Sequence, residues 1–551
     1  MPRHWSMRSP SNDLTGSESM TALLAALPVL AVLLLMTVFS WSAARAGIVA
    51  AVLSVVLAVA VFDLGGEADG FGAVDGILGV VGEAGFISAL IIGIIGPALG
   101  IHHLQQHTGA AQSLRAFLAR VDPDPRIGAL LVAWFFTLFL EGAAGFGTPV
   151  ALAAPFLVAL GLSPLRAVTA ALAGHIAGVS FGAIGTPVLA QSALIDADPA
   201  TVAQATAPYH MLLGAGLVAV VVVLIGQSLG PQNPDRQGTG PAGGSGSSRG
   251  LWRWGALAAA SFLLPYGVIA TYLGPELPTL GGSVVGAGIF MTVLVMTRRA
   301  QHRLQEPSTG PTTPTVAPSN TYQMPLIRAG APYLILILLV VATRLIPPVR
   351  QTLETITVEW QTSGGFTGAV QPLYHPAMLL TLSFLAGVVA QKASFGEAVK
   401  VVVTATRQLA PVVVALIAVV TVARTMSHAG MTDELASTAA SIGPGWPLLA
   451  PLVGAFGSFV TGSATSANVL FSELQASTAR TLELPLMPLQ GAQGFGAAAG
   501  NMIAPHNIVT AAATVGAVGQ EGRVLRLTLP LTLIYVTLGG GLTLLFSQMA
   551  A

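Results

Sequence analysis

Long apolar runs, separated by short polar stretches, recur along the whole chain. They lie at 21–40, 44–62, 77–101, 127–140, 208–229, 252–273, 279–297, 329–346, 375–390, 404–423 and 527–549. Most are close to the roughly 20 residues that a helix needs to cross a bilayer core. Because lipid offers no partner to backbone N–H and C=O groups, the runs must be helices. The pattern predicts an all-α polytopic membrane protein with about 12–14 transmembrane segments.

The composition agrees with a membrane protein and removes several function classes. Hydrophobic residues make up 53% of the 551 residues and charged residues 8%, whereas a soluble domain has about 25% charged residues. The net charge is zero, so no charge argument points to nucleic acid. With no cysteine, the chain has no disulfide, thiolate nucleophile or cysteine-based metal site. The first apolar run exceeds a signal-peptide core and is interpreted as a transmembrane helix.

The distribution of basic residues predicts an orientation in the plasma membrane. Arginine and lysine cluster in alternate loops, which the positive-inside rule assigns to the cytoplasm and which leave the N-terminus outside. These residues are Arg45, Arg115, Arg120, Arg126, Arg166, Arg236, Arg249, Arg253, Arg298, Arg299, Arg303, Arg328, Lys392, Lys400, Arg407 and Arg480. The loop that holds Asp196 and Asp198 is predicted outside. Arg523 and Arg526 depart from the rule, since the same count puts them on the outer side.

Two polar stretches rich in glycine, proline and serine, 230–250 and 304–325, are typical of flexible linkers. We predict a first transmembrane repeat at 1–229, cytoplasmic linkers flanking a transmembrane hairpin (252–297) within 230–325, and a second repeat at 326–551.

Each predicted half contains two segments in which glycine and proline interrupt an apolar run. They are GFGTP (145–149) and GHIAGVSFGAIGTP (174–187) in the first half, and TGSATSAN (461–468) and GAQGFGAAAGNMIAP (491–505) in the second. The separations nearly match, at 38 residues from Pro149 to Pro187 and 37 from Asn468 to Pro505. We therefore predict two inverted-topology repeats, as in many secondary transporters. The alternative is that these glycines only let helices pack closely.

Glycine and proline break helices, and freed backbone groups in hydrocarbon must face protein or a water-filled cavity. A half-helix that begins at such a break aims N–H groups and a positive dipole end at the membrane centre, where a carboxylate can bind. Hydroxyl and amide side chains add hydrogen bonds there. The predicted substrate-binding residues are Gly145, Gly147, Thr148, Thr461, Ser463, Thr465, Ser466, Asn468 and Asn501.

Glu141 and His175 are the predicted proton-coupling residues. A charged carboxylate within a membrane helix costs about 2.5–3.5 kcal/mol and usually marks a pathway or proton relay. The alternatives are that Glu141 only bonds a hairpin at a helix end, and that His175 is a packing residue. His506 has the same ambiguity. Arg424 is a candidate to pair with the substrate, but extension of its side chain to the membrane surface is the commoner arrangement and is expected here.

Three other patterns have competing interpretations. Gly178 to Gly182 fits G-x-S-x-G, so an intramembrane hydrolase using Ser180 with His175 or His210 is a conceivable alternative, although the flanks are helical. Gly494 to Gly500 resembles a dinucleotide fingerprint without the preceding strand. Three histidines near one helix end could bind a metal but are more typical of interface histidines: His102, His103 and His107.

Around the broken segments the sequence resembles the lactate permease family of bacterial symporters for lactate, glycolate and related 2-hydroxymonocarboxylates. The resemblance lies in LEGAAGFGTPVALAAPFLVALGLSPL (140–165), FGAIGTPV (181–188), TGSATSANVLFSELQA (461–476) and Met502 to Pro505. It implies proton-coupled uptake, with the segments at Glu141–Pro149 and Thr461–Asn468 near the substrate. Ala464 stands where the family often has a polar residue, and His175 where asparagine is expected.

The favoured hypothesis is a secondary transporter, not an enzyme, for proton-coupled symport of L-lactate, with D-lactate or glycolate as further substrates. Its partners would be the monocarboxylate anion, protons and the lipid bilayer, with no nucleic acid, cofactor or metal; the oligomeric state is left open. A sodium-coupled transporter of another small organic anion is the nearest alternative.

Overall fold

The fold is known from a computed structural model that describes residues 15–39, 41–66, 70–113, 122, 124–145, 148–229, 248–304, 324–362 and 364–550. Within these residues nine helices are long and apolar enough to cross a membrane, or up to eleven if each of two bent helix pairs counts as one span. Three shorter apolar helices accompany them. The predicted all-α polytopic membrane fold with broken helices is confirmed, while the number of crossings stays a prediction.

The described residues of the predicted first repeat and of the hairpin that follows it include ten helices whose bounds are known at both ends. They are α1 (Thr15–Thr37), α2 (Ala43–Ala60), α3 (Ala73–His107), α4 (Pro125–Ala143), α5 (Thr148–Ala159), α6 (Pro164–Val179), α7 (Gly182–Ile195), α8 (Pro199–Leu229), α9 (Ser248–Tyr272) and α10 (Pro278–Leu304). The middle of α4, Leu131–Phe136, is a π-helical segment.

The rest of the described chain contributes ten more helices. They are α11 (Leu326–Leu345), α12 (Pro347–Glu354), α13 (Pro376–Ala390), α14 (Phe395–His428), α15 (Met431–Ala440), α16 (Trp446–Thr461), α17 (Ala464–Thr481), α18 (Leu486–Gly500), α19 (Pro505–Thr514) and α20 (Glu521–Ala550). Proline at the first or second position starts α12, α13, α16 and α19, where its missing N–H costs no helical hydrogen bond.

One element was not predicted: a two-stranded antiparallel hairpin between α12 and α13. Strand β1 (Val358–Gln361) pairs with β2 (Thr367–Val370). The buried ring of Phe366 anchors its turn against Phe71, with 5.5 Å between ring centroids. Strands of four residues carry too little periodicity to be recognised beside long apolar helices.

The contacts define two faces of the molecule. The hairpin face carries β1 and β2; there Glu359 and Asp196, just past the end of α7, line one cavity. The linker face is the opposite one, where α8 ends at Leu229 and α10 at Leu304. At the linker face Arg166 donates to the carbonyl oxygen of Gln227, at 3.1 Å.

The predicted positions of Arg480 and Arg523 relative to the other basic loops are wrong. Arg480 lies 3.6 Å from Asp433 on α15. Helix α15 follows His428 in the chain, and the ring of His428 contacts Phe366 of the hairpin. Arg480 is therefore on the hairpin face. The C-terminal part of α20 contacts the start of α16, on the hairpin face. Arg523 lies near the N-terminal end of α20 and is therefore on the linker face, with most other basic residues. The assignment of basic residues to alternate loops failed because α16 and α17 form a hairpin that returns to the face it entered from, so neither helix crosses the membrane.

The predicted hairpin at 252–297, here α9 and α10, packs directly on the broken helices of the first half. The hydroxyl of Thr279 donates to the carbonyl oxygen of Gly178 at 2.7 Å. A Cβ at Gly142 would lie 2.5 Å from the backbone nitrogen of Leu280, so the two backbones touch there. Close contact of this kind is how small residues join membrane helices. The division into repeats and linkers stays a prediction.

Candidate functional site

Each of the four glycine- and proline-containing segments is a break between two helices. The breaks separate α4 from α5, α6 from α7, α16 from α17, and α18 from α19. The first and third pairs are hairpins that return to the face they entered from. Leu160, just after α5, would contact a Cβ at Gly128 near the start of α4. Gln475 of α17 accepts a hydrogen bond from Trp446 at the start of α16, at 3.0 Å.

The first residues of α7, where it breaks from α6, adopt a backbone conformation that most residues avoid. Ala183, Ile184 and Gly185 have φ values of +43°, +59° and +78°. Left-handed conformations cost of order 1–3 kcal/mol at residues other than glycine, and they persist only where surrounding packing enforces them. A Cβ at Gly185 would also lie 2.4 Å from the carbonyl oxygen of Pro275. Glycine is therefore required at this position for two reasons.

The break between α16 and α17 exposes the start of a helix. Gly462 ends α16 with φ of +71°, and the hydroxyl of Ser463 accepts the amide of Ser466 at 3.2 Å. In the part of the chain that the structure describes, the first two amides of α17, those of Ala464 and Thr465, have no hydrogen-bond acceptor. Two N–H groups and the positive end of the helix dipole are thus available to an anion.

All four breaks meet at one small cavity of about 30 Å³. Its lining residues are Glu141, Gly145, Val179, Gly182, Ala183, Pro187, Gly462, Ser463, Ala464, Thr465 and Asn501. Five of them were predicted from the sequence: Glu141, Gly145, Ser463, Thr465 and Asn501. A space of this size holds about two water molecules.

Glu141 is the acidic residue of this cavity. Its side chain is 5% exposed, and Oε1 lies 2.1 Å from the position that a Cβ on Gly182 would occupy. The ion pairs found among the described residues do not include it. The structure thus places a buried carboxylate against a wall of backbone, where its protonation state depends on what else enters the cavity.

His175 does not line the cavity but contacts Asn501, which does. The ring is fully buried; Nδ1 lies 3.1 Å from the carbonyl oxygen of Ala171, and Nε2 lies 3.5 Å from Oδ1 of Asn501. Asn501 also accepts hydrogen bonds from the side chain of Asn507. The structure therefore connects His175 to the cavity through Asn501.

The other predicted binding residues lie elsewhere or have local partners. Asn468 donates to the carbonyl oxygen of Pro187 at 3.1 Å and is outside the cavity lining. The hydroxyl of Thr461 donates within the turn, to the carbonyl oxygens of Gly457 and Ser463. Ser466 is also outside the lining, and its amide caps onto Ser463. Gly147 and the side chain of Thr148 lie outside the described residues.

A cluster of buried glutamines, which the sequence interpretation missed, holds the broken helices together. Four glutamines are fully buried: Gln191, Gln475, Gln490 and Gln493. Gln191 donates to Oε1 of Gln490 at 2.6 Å, and Gln475 donates to Oε1 of Gln493 at 3.2 Å. The signal in the sequence was the occurrence of amides in apolar helices, where polar side chains usually join neighbouring helices.

Ser180 does contact His210, as the hydrolase alternative required, but the arrangement is not catalytic. The hydroxyl of Ser180 lies 2.9 Å from Nε2 of His210 and donates to the carbonyl oxygen of Gly494 at 3.0 Å. The third group is the hydroxyl of Tyr535, 3.0 Å from Nδ1 of His210, rather than a carboxylate. Each hydrogen-bonding atom of Ser180 and of the His210 ring has a partner, and Ser180 is fully buried. The three side chains therefore have a structural role.

The remaining candidate groups are separate from the cavity or beside it. His102 bonds Gln106 and His103 bonds Gln408, so these two histidines have different partners. Within the described residues no group of three or more histidine, aspartate or glutamate side chains is arranged so that it could hold a metal ion. The Cβ of His506 would contact a Cβ at Gly462, at 3.3 Å, beside the cavity.

Comparison with known proteins gives consistent results over nearly the whole chain. A family model described as L-lactate permease matches residues 21–549. An L-lactate permease of Streptococcus iniae is 29% identical, with 84% of this chain and 92% of the relative covered. Glycolate permease GlcA of Escherichia coli strain K12 is 27% identical, with 96% of each covered.

Solved structures resemble the fold at lower identity. MtrF of Neisseria gonorrhoeae has a TM-score of 0.48 at 15% identity, with 91% of this chain and 95% of that chain covered. The YdaH transporter of Alcanivorax borkumensis has a TM-score of 0.45 at 16% identity, with 86% and 88% covered.

Proposed function

The chain belongs to the L-lactate permease family, and we propose that it carries L-lactate, glycolate and related 2-hydroxymonocarboxylates across the membrane together with protons. It is a multi-pass membrane transporter rather than an enzyme. Relatives named as L-lactate and glycolate permeases support the substrate class. The observation that carries the proposal is the convergence of four helix breaks on one cavity that holds a buried carboxylate.

The cavity has the groups that a small hydroxy acid needs. The first amides of α17, at Ala464 and Thr465, can donate to a carboxylate, and the hydroxyl of Thr465 and the amide of Asn501 can bond the substrate hydroxyl. Anion binding here requires no basic side chain. Lactate and glycolate differ by one methyl group, a difference worth about 1–3 kcal/mol in an apolar pocket, so both are proposed substrates.

Proton coupling is assigned to Glu141 and His175. A charged Glu141 would repel a substrate carboxylate in the same small cavity, whereas a protonated Glu141 would donate to it. The anion and the proton therefore favour each other's binding, which is the requirement for symport. His175 adds a second position: a doubly protonated ring can donate to both Ala171 and Asn501, and a neutral ring to only one of them.

Transport requires the cavity to open to each face in turn. A cavity with room for about two waters is smaller than a six-atom lactate ion, so the walls must separate when substrate binds. The walls are ends of short helices that can move as rigid rods about their breaks. Alternating access by movement of such elements is the general mechanism of transporters with broken helices.

The first experiment is uptake of labelled L-lactate and glycolate into proteoliposomes. An inward proton gradient is imposed, sodium is absent, and Glu141→Gln is measured in parallel. We expect both acids to accumulate in the wild-type vesicles and a protonophore to abolish accumulation. Glu141→Gln should lower gradient-driven uptake at least about tenfold, because the amide cannot release a proton.

Glu354→Gln is the matched control, since Glu354 pairs with Arg350 away from the cavity and should leave uptake unchanged. Accumulation that needs sodium and survives the protonophore would overturn the proton-coupled proposal in favour of sodium coupling. No accumulation of either acid under any gradient would overturn the substrate assignment.

A further inference from the structure

A second cluster of ionisable side chains lies outside the cavity, toward the hairpin face. The guanidinium of Arg424 on α14 is 2.7 Å from Oε2 of Glu83 on α3 and 3.0 Å from Oε1 of Glu473 on α17. Glu83 is also 2.8 Å from Nε2 of His428 on α14. Arg424 is thus paired inside the protein, and the expectation that it extends to the membrane surface is wrong.

The contact between Glu83 and His428 requires a hydrogen atom between the two. At 2.8 Å a carboxylate oxygen and a ring nitrogen that both present lone pairs would repel each other, so either Nε2–H donates to the carboxylate or a carboxylic acid donates to Nε2. In the first arrangement Nδ1 of His428 is the position at which a further proton can be added, and in the second the Glu83 carboxyl already holds that proton. The ring is 30% exposed, which gives that proton a route to solvent.

The carboxylates of the cluster favour this extra proton, and the guanidinium of Arg424, whose Nη2 lies 3.1 Å from Nε2 of His428, opposes it. Two carboxylates and one guanidinium leave a net charge of −1 when the imidazole is neutral, and protonation of His428 makes the cluster neutral. Asp433 and Arg480, 3.6 Å apart, form a neutral pair at the periphery, on the neighbouring α15 and on α17. From the hairpin, the ring of Phe366 faces His428 at 4.8 Å. Glu359 of β1 and Asp196, just past α7, line one cavity together with Glu83 and Arg424 and add two further carboxylates beside the cluster. Burial penalises an uncompensated charge, so proton uptake stabilises the cluster.

The cluster is joined to the cavity by two rigid helices. Helix α17 begins at the cavity with Ala464 and reaches the cluster at Glu473, nine residues or about 14 Å further on. Helix α7 begins at the cavity with Gly182 and ends near the cluster, where the carbonyl oxygen of Leu194 accepts from Arg424 at 3.4 Å. Arg424 therefore holds the far ends of both cavity helices against α3 and α14.

We propose that Glu83, His428, Glu473 and Arg424 form a second proton-binding site of this transporter, separate from the cavity at Glu141. The proton binds at His428 from the hairpin face, and the neutral cluster then fixes α7 and α17 in place. Loss of the proton leaves a surplus negative charge that weakens the contacts to these helices. The inference rests on the proposed function in that it takes the proton as the coupling ion.

The direct test is a proton-binding titration of the purified full-length protein in detergent. Wild type and His428→Gln are compared between about pH 5 and 8, and the comparison is repeated in a Glu83→Gln background. We expect His428→Gln to bind about one proton fewer per chain over this range. In the Glu83→Gln background the midpoint of that proton should fall by about one pH unit, a tenfold loss of proton affinity.

His103→Gln is the matched control, because His103 bonds Gln408 far from the cluster and its difference curve should be the same in both backgrounds. The proposal is overturned if His428→Gln binds as many protons as wild type, or if the His428 difference curve is unchanged by Glu83→Gln.

A transport measurement completes the test and separates it from the proposed function. In proteoliposomes, His428→Gln should weaken the dependence of initial L-lactate uptake on the pH at the hairpin face, while the dependence that arises from Glu141 remains. Lactate counterflow, which needs no net proton movement, should stay within about twofold of wild type. An unchanged pH profile with a confirmed proton at His428 would overturn the role in transport. Absence of lactate uptake by wild type would instead contradict the proposed function, while the titration would still decide the proton site.

Discussion

Gly182 and Glu141 are in contact in the wall of the cavity, and the missing side chain at Gly182 makes room for the carboxylate of Glu141. A methyl group in Gly182→Ala would lie 2.1 Å from Oε1 of Glu141. Because that oxygen is the end of a flexible side chain, the chain should fold and the carboxylate should shift. We expect lactate uptake to fall at least about tenfold with little change in thermal stability.

Uptake and thermal unfolding of the same preparation check this prediction. Gly288→Ala is the control, since a Cβ there meets nothing within 4 Å and both quantities should match wild type. Normal uptake by Gly182→Ala would show that the position of the Glu141 carboxylate is not critical.

Ser180 provides the second prediction at the residue scale. In Ser180→Ala the ring of His210 and the carbonyl oxygen of Gly494 lose a buried hydrogen-bonding partner. An unsatisfied buried polar group costs about 1–3 kcal/mol, so thermal stability should fall. Lactate uptake at a temperature where the variant is folded should be retained. Complete loss of uptake by a folded Ser180→Ala would revive a chemical role for the hydroxyl.

At the scale of elements, α13 shows how an end cap makes stability depend on pH. The ring of His375 caps this helix, because Nδ1 accepts the amide of Ala377 at 3.4 Å. Burial, and then the charge of Arg344, lower the pKa of His375 to about 4. The unfolded chain binds this proton near its ordinary pKa of 6.5, so between these values the unfolded state holds more protons.

The free energy of unfolding should therefore rise as the pH increases from about 4 to 6.5 and fall as the pH is lowered through that window. His375→Asn keeps a capping acceptor but has no titrating proton. We expect the variant to lose less thermal stability than wild type between about pH 6.5 and 4.5. Identical losses in the two proteins would show that His375 is not the group responsible.

At the scale of the whole molecule, sidedness can be measured directly because the native chain contains no cysteine. We predict that a membrane-impermeant maleimide added to intact cells labels Asp198→Cys and Arg480→Cys at the hairpin face. The same reagent should label Lys400→Cys and Arg523→Cys only after the membrane is opened. This follows from the predicted cytoplasmic location of most basic residues and from the two faces that the contacts define.

Two different failures are distinguishable in this experiment. Labelling of the opposite set in intact cells would reverse the predicted orientation and leave the fold unchanged. Labelling of Arg480→Cys together with Lys400→Cys would contradict the return of α16 and α17 to one face.

Predictions that depend on local composition succeeded, whereas the predicted sides of Arg480 and Arg523, which depend on how helices turn within the membrane, did not. The hydropathy pattern identified the membrane class and the helix breaks, since both depend on local composition. The inverted repeat stays a prediction, although re-entrant α4–α5 and re-entrant α16–α17 enter from opposite faces, as such a repeat requires.

The sequence by itself determined that this protein is an α-helical membrane protein, where its helices break and which family motifs surround the breaks. Lipid leaves the backbone no partner except a helix, and glycine and proline act on the chain locally, so these features need no knowledge of distant residues. Only the tertiary structure decided that Glu141, Ser463 and Asn501 line one cavity while Asn468 does not. It also decided that Arg424 meets Glu83, because contacts across hundreds of residues depend on how helices pack and leave no periodic signal in the chain.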